Sequence, residues 1–253
     1  MMELQACADL VAKGDPDRFA AAMAAPVEAR KVLFPLYAFN LEVARAPWVA
    51  SEPMIGEMRL QWWRDALAEI ASGVPVRRHE VATPLAEVLT PELAEGLDAL
   101  IEVRRWDLYA EPFADEAALL AYLDVTGATL MWTAAAALGA GEATEDTVRR
   151  FGRAAALARY LTAVPDLEAR GRIPLVDGRS EAVARLARET RNAMPSRAAL
   201  RRALPGLARA ALIEGWQAGG ILSRATADPL RVAEGRLEPS EFRRRLGLLF
   251  ASR

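Results

Sequence analysis

Apolar residues recur at three- and four-residue steps through nearly the whole chain, and no stretch shows the strict alternation of a half-buried strand. The pattern is sharpest over residues 51–73. Ser51 stands there as a cap and Ser72-Gly73 as a stop. Between them Ile55, Met58, Trp62, Ala66, Leu67 and Ile70 fall on one stripe, while Glu57, Gln61, Arg64 and Glu69 lie away from it. Arg59 sits beside the stripe, so its cation either snorkels outward or points into a polar cavity. Earlier in the chain, Asp15-Pro16 opens a helix with Asp as cap and Pro in the first turn. Another helix runs from about Pro26 to Arg45, with Pro35 removing one backbone donor inside it. Further helices are expected over about 91–109, 115–138, 145–164, 181–193, 197–222 (interrupted near Pro205-Gly206) and 239–250, with a short one at Leu85–Leu89 and a loop over 165–180. Thr144, followed by Glu145 and Asp146, marks the start of the 145–164 helix, whose small and apolar residues on most sides suit a central position. With 253 residues, 53% of them hydrophobic, the chain can bury a large core. The fold class is therefore all-α: one helical domain over 1–253, with residues 1–14 as a loose N-terminal segment.

Residue types narrow the chemistry. A single cysteine, Cys7, forms no internal disulfide, which fits a reducing, cytoplasmic compartment. The one histidine, His79, excludes a histidine-built metal site and argues against a Ser–His or Cys–His nucleophile; its setting in VPVRRHEVATP suits the surface. Any metal would be held by carboxylates, which favours Mg²⁺-type chemistry. The opening MMELQACADLVAKGD carries acids early and lacks the apolar run of a signal peptide. The longest uncharged run, Val125–Gly141, has 17 residues, at the short edge of the roughly 17–25 needed to cross a bilayer. It is mostly Ala, Gly and Thr and is expected as a buried helix of the bundle.

Charge is divided along the chain. Residues 1–144 hold 11 Lys+Arg and 22 Asp+Glu, whereas residues 145–253 hold 21 and 12. The two halves are expected to attract each other; an anionic partner is the other reading. The arginines of 197–209 lack interleaved aromatics, which argues against nucleic acid. The stretch RAALRRALPGLARAALIEGW pairs an arginine face with an apolar one, and so either closes the bundle or lies on an anionic membrane.

Four stretches fall in an order that resembles the squalene/phytoene synthase family: DRFAAAMAAPVEARKVLFPLYAF, MRLQWWRDALAEI, LLAYLDVTGATLMWTAAAALG and ARYLTAVPDLEARGRIPL. The resemblance runs from about residue 15 to 220. It implies an isoprenoid-synthase-type helical bundle around a central cavity. In active members two Asp-x-x-x-Asp helices face each other there, and their carboxylates hold Mg²⁺ ions that bridge to a prenyl diphosphate. Followed forward from YAF, the first pair of aspartates would fall at Ala44 and Trp48, and a diphosphate-gripping arginine at Leu41; none is present. Glu42 points roughly 200° away from Ala44 and is no substitute. In the second motif Thr162 and Pro165 replace an Asn and an Arg, Asp166 matches the first aspartate, and Arg170 stands at the second. The resemblance thus implies the family's fold without its usual metal chemistry: no catalytic residue, no metal ligand beyond a weak candidate in Asp166, and no cofactor, with Mg²⁺ needed only if active ligands were relocated.

Met58, Arg59, Gln61, Trp62, Trp63, Asp65 and Ala66, with Glu42 and Arg45, resemble most closely the branch related to the assembly factor of respiratory NADH dehydrogenase. That implies a non-catalytic role in building a membrane complex, with its subunits or an isoprenoid or other lipid as partner and a peripheral place at the inner membrane. An active prenyltransferase and a lipid-binding protein are the alternatives. Candidate cavity residues are Phe19, Arg30, Tyr37, Glu42, Arg45, Arg59, Trp62, Asp65, Asp166, Arg170 and Arg172. Most also have plain structural readings: Phe19 and Tyr37 as core, Glu42–Arg45 as an ion pair on one helix face, and Arg170 and Arg172 as a solvated loop face.

Overall fold

In the computed structural model, which describes residues 2–50, 52–109 and 111–252, Asp15 accepts a hydrogen bond from the Arg18 backbone N–H at 2.9 Å. The expected cap therefore forms, and it turns the chain from α1 (Met2–Gly14) into α2 (Pro16–Ala24). Residues 2–14 are not a loose segment. They form a helix packed on α3 (Val27–Val49), with Cys7 and Val11 fully buried. Burial of such apolar side chains contributes ~1.5–3 kcal/mol each, enough to hold a single helix against the bundle. Burial also pushes the Cys7 thiol up to about 12, so it stays protonated and inert.

The helix α4 (Pro53–Ala71) forms where expected but presents a different face. Its buried residues are Gly56, Leu60, Trp63, Ala66, Leu67 and Ile70, whereas Ile55 and Met58 are exposed. The reason is Gly56, which sits so close to Leu108 that a Cβ there would come within 2.1 Å of its side chain. The helix approaches its neighbour on its smallest residue, and Trp63 rather than Trp62 turns inward, edge-on to Phe39. The cap expected at Ser51 lies outside the described residues.

Two short elements follow, α5 (Ala82–Ala86), slightly earlier than expected, and α6 (Pro91–Val103), which ends in a 3₁₀ turn over Arg104–Leu108. Then α7 (Glu116–Leu123), a π turn (Asp124–Ala128) and α8 (Thr129–Ala137) run as one 22-residue helix. It is apolar enough to cross a bilayer by length and composition, but 56% of its apolar window is buried inside the bundle, where α8 packs on α6 and on α9 (Glu145–Ala169). Thr144 does not cap α9; its hydroxyl donates to the Gly141 carbonyl instead.

Residues 165–169 are helical, not loop. α9 continues through Pro165, since buried Leu161 and Val164 anchor the turn in which a backbone donor is lost. The remainder is α10 (Ser180–Ala193), α11 (Arg197–Ala203), a 3₁₀ segment (Gly206–Gly215), α12 (Ala218–Ala227), α13 (Leu230–Ala233) and α14 (Glu241–Ala251). The interruption expected near Pro205-Gly206 is present, and a second break follows Gly215, so the 197–222 stretch is three elements. No strand occurs among the described residues.

The acidic front and basic back do meet. Asp15 pairs with Arg159, Asp124 with Arg149 and Arg153, Glu116 with Arg185, and Asp17 with Arg244. Part of the charge division is compensated inside the molecule, holding α9, α10 and α14 onto the first half.

Candidate functional site

A cavity of about 250 Å³ lies between α3 and α9, walled also by the 104–108 turn, the π turn and the 206–215 segment. From α3, Asn40, Ala44 and Trp48 face it at four-residue steps; from α9, Tyr160, Ala163 and Leu167 face it at steps of three and four. The two helices therefore present facing side chains on successive turns, the geometry that paired carboxylates would need, but with Ala44 and Trp48 opposite Ala163 and Leu167. Asp166 is exposed. It lines a more open depression beside the cavity, with Arg45 and Arg170, and Trp48, Ala163 and Leu167 border both. Asp166 and Arg170 thus stand beside the mouth of the cavity, not among the residues of its interior. Leu41 packs against Gly14 and is nearly buried.

The carboxylates that do line the cavity are engaged. Glu214, only 5% exposed, accepts from Arg18 Nε at 2.5 Å and from Arg159 at 3.3 Å. Asp15 bonds the same two arginines at 2.8 and 3.3 Å. Burial pushes the Asp15 carboxyl upward, but the charges of Arg18 and Arg159 and the hydrogen bonds from Arg18 outweigh it and hold the group below its ordinary value. Burial works against the Arg18 cation too, yet Glu214 and Asp15 raise its pKa further. Arg18 also lies over the Tyr37 ring at 5.6 Å, and burial raises that phenol well above its usual range. On the other wall Arg104 donates to Asp107 at 3.0 Å and to the Tyr122 hydroxyl at 2.6 Å, while that hydroxyl donates to Asp107 at 2.9 Å. Burial first, and the Asp107 charge next, keep Tyr122 protonated.

At the mouth, Trp48 is flanked by two arginines, Arg170 at 4.9 Å and Arg172 at 5.2 Å from the ring centre. Arg172 also donates to the carbonyls of Tyr109 and Asp107. An indole flanked by two guanidinium groups thus stands at position 48, to which the resemblance assigns a carboxylate.

This donor set does not suit a cluster of Mg²⁺ ions. Such ions take several oxygens at once, whereas both cavity carboxylates here spend theirs on arginine or tyrosine. No group of three or more Asp, Glu, His or Cys converges among the described residues. The arrangement is suited to holding an apolar group: a floor of small and apolar residues, inner polar groups already paired with one another, and Arg172 beside Trp48 at the mouth.

Of the residues singled out from sequence, Arg172 lines this cavity and the others do not. Phe19 packs on Phe34 at 5.8 Å, and Tyr37 is core beneath Arg18. Arg30 ties α3 to the end of α2 by donating to the Met23 and Ala25 carbonyls. Glu42 and Arg45 pair at 3.8 Å on the outer surface. Arg59 is exposed, and Asp65 accepts from Gln61. Trp62 is half-buried between Arg77, 5.1 Å from its ring, and His79, 4.8 Å from it. His79 is not a free surface residue: its Nδ1 accepts from the Val81 N–H at 3.1 Å, at the start of α5.

The residues that sequence reasoning missed are Arg18, Arg104, Asp107, Arg159 and Glu214. One had a readable signal: Glu214 is the only acid between Glu189 and Asp228, set in the apolar run LARAALIEGW. An isolated carboxylate in such a run has to be partnered or exposed.

Residues 11–243 match the sequence profile of the squalene/phytoene synthase family. Among curated proteins, NADH dehydrogenase (ubiquinone) complex I, assembly factor 6 of Bos taurus is 30% identical over 119 residues, 42% of this chain and 36% of that protein. The same factor of Mus musculus is 25% identical over 161 residues, 63% of this chain and 48% of its own length. The matches thus span less than half of each relative. A crystal structure of a dehydrosqualene synthase in complex with ligand superposes with a TM-score of 0.79 at 14% identity, over 99% of this chain and 95% of that one, so the fold is shared.

Proposed function

The chain belongs to the squalene/phytoene synthase family, and from that premise we propose that it is a non-catalytic member that assists assembly of respiratory NADH dehydrogenase. The observation that carries this reading is the pair of cavity-facing helices with Ala44 and Trp48 on one and Ala163 and Leu167 on the other. They supply no oxygen for an ion where diphosphate chemistry needs several. The naming of its relatives as complex I assembly factors supports the direction. In this proposal the protein needs no Mg²⁺, works in the cytoplasm at the inner membrane surface, and contacts subunits of the respiratory complex. The mostly apolar cavity, with Arg172 at its mouth, favours a second role beside the first, holding an isoprenoid or similar lipid without converting it.

The test is a strain lacking the gene. Fully assembled NADH dehydrogenase on native gels falls, and wild-type protein or the Asp166→Ala variant restores it equally. Normal levels of the complex in the deletion strain would overturn the proposal. Purified protein given Mg²⁺ and farnesyl diphosphate releases no pyrophosphate; turnover would restore the enzymatic reading.

A further inference from the structure

A second cavity, of about 440 Å³, lies near the C-terminus, on the other side of the 206–215 segment from the first. Neighbouring residues face different cavities: Gly152 and Glu214 line the central one, Phe151 and Ile213 this one. Its size falls within the roughly 300–1,000 Å³ of small-molecule sites. Its walls are apolar, with Phe151, Met194, Leu212 and Trp216 among them. The indole N–H of Trp216 is buried and has no acceptor among the described residues. Arg197, Arg201 and Arg209 also line it, and all three are exposed. Among the described residues none of them pairs with a carboxylate; Arg209 donates only to the carbonyls of Leu204 and Arg201. No Asp or Glu occurs from residue 190 to 213, so the excess charge is a property of the segment itself. One side of the cavity is closed by the end of α14, through Phe250 and Ala251.

We propose that this cavity binds a single long acyl chain bearing an anionic headgroup, with the chain against Trp216 and Phe151 and the head on Arg197 and Arg201. The argument is charge complementarity joined to shape. An apolar interior favours hydrocarbon by ~25 cal/mol per Å² of buried surface. Unpaired guanidinium groups at the rim favour a carboxylate or phosphate, which they bond in a charge-assisted way. A neutral lipid would satisfy the walls and leave the cations as they are; a small free anion would use the cations and leave the walls wet. This site is separate from the central cavity, and its binding does not depend on the assembly role.

The probe is cis-parinaric acid, a fluorescent fatty acid, titrated beside its methyl ester. The acid binds saturably at one site and at least about tenfold more tightly than the ester, as one or two charge-assisted bonds imply. The double variant Arg197→Glu/Arg201→Glu loses that preference, with circular dichroism unchanged. Gly219→Leu weakens both ligands, because position 219 lines the cavity and a Cβ there faces the end of the Met194 side chain, part of the same wall, at 3.3 Å. Equal affinity for acid and ester, or retention of acid binding by both variants, would overturn the site. Binding to anionic vesicles without any binding of the monomeric acid would overturn it as well, assigning the arginines to a membrane surface.

Discussion

The two cavities use the same residue types to opposite ends. In the central one Arg18, Arg104 and Arg159 are each matched to a carboxylate, and both partners are largely withdrawn from water. In the C-terminal one Arg197, Arg201 and Arg209 stand at the rim with none among the described residues. The difference teaches where charge is structural and where it is available. A buried cation has to be compensated from within, because removing it from water costs several kcal/mol. An exposed one keeps its water until a ligand arrives, and costs the fold little.

The sharpest way to break this contrast is Glu214→Gln. It keeps the volume but leaves Arg18 and Arg159 with only Asp15, and it is expected to lower stability by about 3–5 kcal/mol, read as a lower urea midpoint. An unchanged midpoint would mean that the central cluster is not self-compensating. Next is pH. The folded-state pKa of Asp15 lies below its unfolded value of about 3.9. Its contribution is therefore complete above that value and is lost as pH falls through the folded pKa. Asp15→Asn, which still caps α2, should flatten the stability profile in that acid window and lower stability at neutral pH. The smallest effect is expected at the other cavity: Arg197→Ala/Arg201→Ala should change stability, read from urea unfolding, by no more than ~0.5 kcal/mol.

Much of the fold was legible in the sequence because helical spacing, the Asp15-Pro16 start and the Ser72-Gly73 stop are local signals. The family's motifs supplied the rest of the outline, including the loss of carboxylates at 44 and 48. What local signals do not carry is which face of a helix meets which neighbour. The stripe on α4 was misread because Trp62 and Trp63 are both apolar, and the choice between them is made by Leu108 against Gly56, some fifty residues apart. Pro165 suggested a break that packing overrides. The ion pairs of the cavity were unreadable for the same reason: Arg18 and Glu214 are 196 residues apart in sequence.

The π turn and α9 meet at two glycines with no room for a side chain on either. A Cβ on Gly127 would come within 2.4 Å of the Ala156 methyl, and one on Gly152 within 2.8 Å of the Ala128 Cα. Both glycines border the central cavity. Its dimensions are therefore set where the π turn and α9 touch, while its chemistry is set by the side chains that line it. A lineage built this way is free to exchange the lining one residue at a time and keep the vessel, whereas a single added methyl at that seam would prise two helices apart.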